Sequence, residues 1–264
     1  MKPVLFLDSG IGGIPYCRYF HERNQGESIV YLADRLHFHY GKWEKHQLSA
    51  ILMSLIEQVT RVVAPKIVVL ACNTATLAGL SQLRERFPSI PFVGTVPAVK
   101  PATLASKSGK IGVLGTELTI KEPFIRDMSA QYGKGEVMGI AAPELVEFIE
   151  NRLDSAAPEE KKEMVRIYLD QFRAAGVDSL VLGCTHFLYL QEEFQQEAAP
   201  DITVFESVKG IDQRIESLLA AIPPEEHNPN MQNRLLLTGT SAPEPSWIKL
   251  ADSLGFELSL LEDL

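Results

Sequence analysis

The sequence predicts an α/β protein of two open, parallel-sheet domains, and three observations carry that expectation. Seven short apolar runs rich in Val, Ile and Leu each end at a small or polar residue, as strands buried on both faces of a parallel sheet do. Segments with helical spacing lie between them, which is the alternating rhythm of α/β folds. The 264 residues also exceed an ordinary domain of roughly 100 to 200, so two units are expected.

In chain order, the candidate strands are 3–7 before Asp8-Ser9-Gly10, 66–71 before Cys72-Asn73-Thr74, and 91–94. Then follow 110–114 before Gly115-Thr116, 179–182 before Gly183-Cys184-Thr185, 202–205 before Glu206-Ser207, and 234–237 before Thr238-Gly239. Open α/β sheets bind ligands at the carboxyl ends of their strands, so function is sought in these turns. Residues 48–63 place Leu48, Ile51, Leu52, Leu55, Ile56, Val59, Val62 and Val63 on one stripe, an amphipathic helix that is scaffold. Residues 158–175 open with Pro-Glu-Glu and close at Gly176, as a second helix should. The three prolines within 223–230 mark a loop, and Cys17, on a further amphipathic segment, reads as core.

Composition excludes several classes of function. With 25 Lys+Arg against 34 Asp+Glu and no basic run, nucleic acid is not an expected partner. The apolar runs, such as Ile67 through Cys72, fall far below the roughly 18 residues of a spanning helix. Val4-Leu5-Phe6-Leu7 is too short for the apolar region of a signal peptide, so a cytoplasmic location is expected. Only seven residues precede Asp8, so regulation through a long N-terminal extension is not expected. The three cysteines, Cys17, Cys72 and Cys184, are odd in number and lack CxxC spacing, which argues for reduced thiols over disulfides or zinc. No motif for a metal, nicotinamide or pyridoxal phosphate is present, and no cofactor is expected.

One internal echo points to chemistry. Ile67-Val68-Val69-Leu70-Ala71-Cys72-Asn73-Thr74 parallels Ser179-Leu180-Val181-Leu182-Gly183-Cys184-Thr185-His186: a buried strand, a small residue, a cysteine, then polar residues opening a helix. The spacing suits one cysteine in each of two related units facing each other across a cleft. A thiol there lies beside unpaired backbone N–H groups and the positive end of a helix dipole, which favours the thiolate over a free thiol titrating at about 8.5. A single such cysteine is as readily a small buried hydrophobe. Two in matched contexts form an acid–base pair able to take a proton from one face of a carbon and return one to the other.

Such chemistry on an amino acid without a cofactor needs donors for the carboxylates. Ser9, Asn73, Thr74, Thr116, Thr119 and Thr185 all follow strands and supply hydroxyl, amide and backbone N–H groups, although each alone is an ordinary helix cap. His186, two residues past Cys184, is placed to hold that thiol's proton balance or to accept from an ammonium group. Asp8 heads the turn Asp8-Ser9-Gly10-Ile11-Gly12-Gly13, whose glycines admit a ligand to the backbone. This turn is neither GxGxxG nor a P-loop, and its acid suits an ammonium or an acid–base partner better than a phosphate.

These segments together resemble the bacterial glutamate racemases of the aspartate/glutamate racemase superfamily. The resemblance rests on Asp8 through Gly13, on Ala71-Cys72-Asn73-Thr74-Ala75 and on Leu182-Gly183-Cys184-Thr185-His186. It is supported by Asp34 with Tyr40-Gly41, Val93-Gly94-Thr95-Val96-Pro97-Ala98, Gly112 through Thr116, and Thr238-Gly239. It implies two pseudo-symmetric open-sheet α/β domains, 1–97 with 209–264 and 98–208, with the active site in the cleft between them. It implies that Cys72 takes the proton from D-glutamate and Cys184 from L-glutamate, with D-glutamate destined for peptidoglycan. Asp8, Ser9, Tyr40, Gly41, Asn73, Thr74, Thr185 and His186 would then contact substrate or tune the thiols. Asp34 and Glu150 would act as auxiliary carboxylates.

The chain departs from the pattern at Arg35-Leu36-His37-Phe38-His39, where the family carries a Thr-Ala-Arg-type stretch with Pro before the Tyr, and at Glu206-Ser207 for Asp-Ser. An aspartate racemase and a catalytically silent binding protein of the same fold stay open as alternatives; His186 favours glutamate over aspartate. The sequence is silent on oligomeric state, a homodimer included.

Overall fold

The computed structural model describes residues 2–133, 135–223 and 232–263, with Asp263 described by its backbone alone. The loop expected over 223–230 lies, beyond Pro223, outside the described residues. By its contacts the chain divides into two units, Met1–Thr95 with Val208–Leu264 and Val96–Ser207.

The first unit opens with β1 (Val4–Asp8), α1 (Ile14–Arg23), β2 (Ile29–Ala33), α2 (Lys45–Val63), β3 (Ile67–Leu70), α3 (Asn73–Arg86) and β4 (Phe92–Gly94). The second runs through α4 (Val99–Ala105), β5 (Lys110–Gly115), α5 (Glu117–Lys121), α6 (Pro123–Tyr132), β6 (Glu136–Ala141), α7 (Pro143–Asn151) and α8 (Pro158–Ala174). It ends with β7 (Ser179–Gly183), a 3-10 helix over Thr185–Leu190, α9 (Gln191–Ala198) and β8 (Thr203–Phe205). The chain then returns to complete the first unit with α10 (Val208–Leu219), β9 (Arg234–Leu237), α11 (Pro245–Leu254) and β10 (Glu257–Leu260).

The two sheets have the orders β10-β9-β2-β1-β3-β4 and β6-β5-β7-β8, and their pairings are parallel throughout. The second order repeats the inner part of the first, with β5, β6, β7 and β8 standing where β1, β2, β3 and β4 stand. In each unit the chain steps from its first strand to one side and then crosses to the other. The crevice at that reversal opens between β1 and β3 and between β5 and β7. Cys72 follows β3 and Cys184 follows β7, so the sequence echo is an echo of topology.

Burial explains why these segments are strands. Every residue of β1, β2, β3 and β7 is buried, as parallel strands covered by helices on both faces must be. Leu48, Leu52, Leu55, Ile56, Val59 and Val63 of α2 pack against this sheet in one cluster with Leu5, Leu7, Val68 and Leu70. A smaller core of Val99, Ala102, Ile111, Val113, Ile125 and Val181 fills part of the second unit. Cys17 is wholly buried on α1, in keeping with its reading as core.

The structure adds β2, β6 and β10 to the seven anticipated strands. β6 and β10 are edge strands with half-exposed positions, so polar residues, and Gly139 in β6, interrupt their apolar runs. β2, by contrast, meets the apolar-run criterion in full. Helix α2 begins at Lys45, one turn before the expected start. Its first turn is polar and is held by a capping box in which Gln47 Oε1 accepts from Glu44 N at 3.3 Å. α8 ends at Ala174, just ahead of Gly176, whose φ of 77° closes the helix.

Candidate active site

In the first unit, the carboxyl ends of β9, β2, β1, β3 and β4 lie side by side and lead into Thr238, Asp34, Ser9, Cys72 and Thr95 in that order across the sheet. Asp8, the last residue of β1, is fully buried, and its Oδ1 accepts from Gly10 N at 2.8 Å, which folds the following turn tightly over the strand end. Gly13 is required in that turn: a methyl on it would lie 2.7 Å from Ala71 Cβ and 3.0 Å from the Tyr31 hydroxyl. The Tyr31 hydroxyl donates to Gly10 O at 2.8 Å, fixing the turn from beneath.

Asp34 is also fully buried and accepts from three side chains. Tyr40 Oη donates to Oδ2 at 2.9 Å, Thr238 Oγ1 donates to Oδ1 at 2.8 Å, and His37 Nδ1 lies 3.0 and 2.9 Å from the two oxygens. A carboxylate at zero exposure is tolerated only when its lone pairs are met in this way. Tyr40 stands at the start of a short 3-10 turn over Tyr40–Lys42 that also holds Gly41, and its backbone N donates to Ser9 Oγ at 3.4 Å. Burial raises the Tyr40 hydroxyl well above the usual phenol range, helped by the negative charges of Asp34, Cys72 and Asp8. It therefore stays protonated and serves as a donor.

Cys72 is the N-cap of the 14-residue α3 and retains 8% exposure, and Asn73 and Thr74 form the helix's first buried turn. The first-unit residues expected at the site, Asp8, Ser9, Asp34, Tyr40, Gly41, Cys72, Asn73 and Thr74, thus gather at one edge of one sheet.

In the second unit, Cys184 follows β7 with 6% exposure, and its Sγ lies 3.8 Å from His186 Nδ1. The other imidazole nitrogen, Nε2, lies 2.7 Å from Glu150 Oε1, a carboxylate carried in by α7. Burial alone works against a charged imidazole here, yet the bonds and charges of Cys184 and Glu150 outweigh it and hold His186 well above the usual histidine range. The result is a continuous Cys184–His186–Glu150 chain. Thr185 is buried beside Cys184.

Thr116 caps α5, accepting from Thr119 N at 3.3 Å, and the two hydroxyls lie 3.0 Å apart. Thr119 is itself fully buried and braces Thr116 from behind. Cys184 corrects one expectation: it opens a six-residue 3-10 helix, with α9 beginning only at Gln191. A short 3-10 segment aligns fewer peptide dipoles, so the charge beside Cys184 comes from His186.

Two residues here carry weight that the motifs did not assign. His37 and Thr238 complete the shell of Asp34. Their signal in the sequence is a charged residue ending an apolar run, which demands partners once buried. Among the described residues no group of three or more His, Cys, Asp or Glu is arranged to hold a metal ion, and no helix is long and apolar enough to cross a membrane.

The chain is similar to known proteins over most of its length. The family model for Asp/Glu/hydantoin racemases matches residues 41–211. A glutamate racemase of Treponema pallidum is 39% identical over 221 residues, 83% of this chain and 81% of its own. One of Roseiflexus is 38% identical over 83% of this chain and 79% of its own. Among solved structures, the Escherichia coli glutamate racemase in complex with L-glutamate and the activator UDP-MurNAc-Ala is similar with a TM-score of 0.84 at 27% identity, covering 98% of both chains. The Thermus thermophilus glutamate racemase in complex with β-chloro-D-alanine follows at 0.75 and 26%, covering 100% of this chain and 98% of its own. With two thiols at equivalent places in repeated sheets and these relatives across most of its length, the chain belongs to the Asp/Glu/hydantoin racemase family, among the glutamate racemases.

Proposed function

We propose that this chain interconverts L- and D-glutamate by proton transfer at the α-carbon, each unit contributing one thiol. The observation that carries the reading is the occurrence of Cys72 and Cys184 at the same topological position, each after the third strand of its unit and each slightly exposed. Racemisation needs an acid and a base for opposite faces of one carbon, and two thiols of matched type serve in either direction.

In this reading Cys72 takes the proton from the D-enantiomer and Cys184 from the L-enantiomer. His186, charged and held by Glu150, keeps a proton beside Cys184. Asp8 accepts the substrate ammonium. Ser9, Gly41, Asn73, Thr74, Thr116 and Thr185 supply donors to the carboxylates, which stabilises the charge that develops when the α-proton leaves, while Tyr40, whose hydroxyl is given to Asp34 and whose backbone N is given to Ser9, shapes the wall of the site. Thr119 acts through Thr116, and Asp34 through Tyr40. No cofactor takes part. In this reading the enzyme works in the cytoplasm, where thiols stay reduced, and supplies D-glutamate for peptidoglycan.

The test is to incubate the purified chain in deuterium oxide with L-glutamate, D-glutamate or L-aspartate and to follow the α-proton by NMR and the optical rotation. Exchange from both glutamate enantiomers towards a racemic mixture is expected, unaffected by chelator or borohydride. Faster turnover of aspartate would reassign the substrate, and binding without exchange would leave a silent binding protein.

A further inference from the structure

We infer that His37, in the loop where this chain leaves its family's pattern, is a positioning residue for the Cys72 side of the reaction, acting through Asp34 and Tyr40. The inference rests on the proposed racemisation. It starts from a connected path within one unit: His37 Nδ1 on both oxygens of Asp34 at 2.9 and 3.0 Å, and Asp34 Oδ2 on the Tyr40 hydroxyl at 2.9 Å. Tyr40 packs in the same buried cluster as Cys72.

The loop that carries His37 is fastened on several sides. Arg35 Nη1 lies 2.6 Å from Glu244 Oε2, and its Nη2 donates to Ser241 O at 3.2 Å. Leu36 N donates to Thr238 Oγ1 at 3.0 Å. Trp43 Nε1 donates to His37 O at 2.9 Å, and its ring meets the imidazole edge-on at 5.9 Å between centroids. These contacts spend an arginine and a tryptophan on holding one imidazole against one carboxylate. The carboxylate itself is fully buried, and its oxygens are otherwise served by Tyr40 and Thr238.

The consequence is geometric. With His37 in place, Asp34 is held from both sides and presents Oδ2 to Tyr40 in one orientation. The tyrosine's backbone N reaches Ser9 at the same time, so ring, turn and Cys72 wall are set together. Without the imidazole the carboxylate keeps one hydroxyl bond on each oxygen, from Tyr40 and Thr238, but loses the contact that bridges both; its plane is less firmly set, Tyr40 shifts with it, and proton transfer at Cys72 slows. Every residue of the path belongs to the unit that carries Cys72.

The experiment compares wild type, His37→Ala and His37→Asn, using D- and L-glutamate deuterated at the α-carbon. Asparagine returns an N–H donor near the position of Nδ1, so it is the conservative rescue. For His37→Ala a kcat loss on the order of tenfold or more is expected, as for misplacement of a group near the chemistry. More telling, the primary isotope effect on kcat/KM should rise from D-glutamate and fall from L-glutamate, because transfer at Cys72 becomes the slower of the two steps. His37→Asn should restore both.

A general loosening of the fold would lower kcat and leave the two isotope effects as they are in wild type, and that outcome overturns the inference. So does His37→Asn behaving like His37→Ala. If His37→Ala does not fold, the isotope effects of His37→Asn decide: wild-type values support the positioning role only if His37→Phe, which folds around the same ring volume without the donor, shows the skew; an unskewed His37→Phe refutes it. Failure of the wild type to racemise either enantiomer would instead remove the functional reading itself, before any variant is compared.

Discussion

The two cysteine-bearing turns share a strand, a small residue and a thiol, yet the structure surrounds the thiols differently. Cys72 caps a long α-helix and shares a buried cluster with a phenol held by a buried carboxylate. Cys184 opens a 3-10 helix and is served by an imidazole two residues on, itself held by Glu150 from another helix. One thiol therefore has a phenol, its supporting carboxylate and a helix terminus in its surroundings, and the other has an imidazole held on its far side by a carboxylate. The lesson is that the repeat preserves where the thiol stands, while the groups that govern its proton come from whichever neighbouring element can reach it.

The largest effect that sharpens this comparison comes from the thiols themselves. Cys72→Ser and Cys184→Ser are each expected to lower racemisation by about a thousandfold, within the range of general acid–base contributions. If either variant kept wild-type rates, the two turns would not be functionally equivalent. Cys17→Ser is the control, because its thiol is wholly buried and burial pushes it well above the usual cysteine range, leaving it inert.

Next comes Glu150→Gln, which strikes the charged half alone. The raised His186 value is held up partly by Glu150, so this variant should move the imidazole titration downward, read from its carbon-bound proton signals by NMR. The sign follows from linkage. A group raised in the folded state contributes stability in full below the unfolded value of about 6.5 and loses it as pH rises through the folded value. The stability deficit of Glu150→Gln should accordingly be greatest in mildly acidic to neutral solution and narrow in alkali. A His186 that titrates below about 6.5 in the wild type would break the proposed contrast between the turns.

The smallest effect tests the small residue before each cysteine. Ala71 has room for its methyl because Gly13 makes way for it, whereas a methyl on Gly183 would lie 2.9 Å from Leu114 O and 3.1 Å from a Val113 methyl. Gly183→Ala should therefore destabilise by about 1–3 kcal/mol, measured by urea unfolding, as overpacking does. A neutral Gly183→Ala would mean that β5 and β7 can part at no cost.

Apolar runs ending in polar residues marked seven strands and with them the turns that hold Cys72, Cys184, Asp8 and Thr116, because a parallel strand buried on both faces leaves a continuous signature in its own residues. The edge strands β6 and β10 were hidden because half-exposed positions admit polar residues. Glu150, by contrast, became a candidate only through resemblance, since no local pattern around α7 distinguishes it from an ordinary surface acid.

The amino-acid order by itself settled the α/β class, the place of the thiols at strand ends and the internal repeat, all of which are properties of neighbouring residues. Tertiary structure alone decided that His186 meets Glu150, that Asp34 collects His37, Tyr40 and Thr238, and that the second thiol opens a 3-10 helix. Asp34 and Thr238 are distant in the chain and adjacent only because β2 and β9 pair in the sheet. Hydrogen-bond partners of a buried charge are chosen by which strands and helices pack together, and that choice is made by the whole core at once.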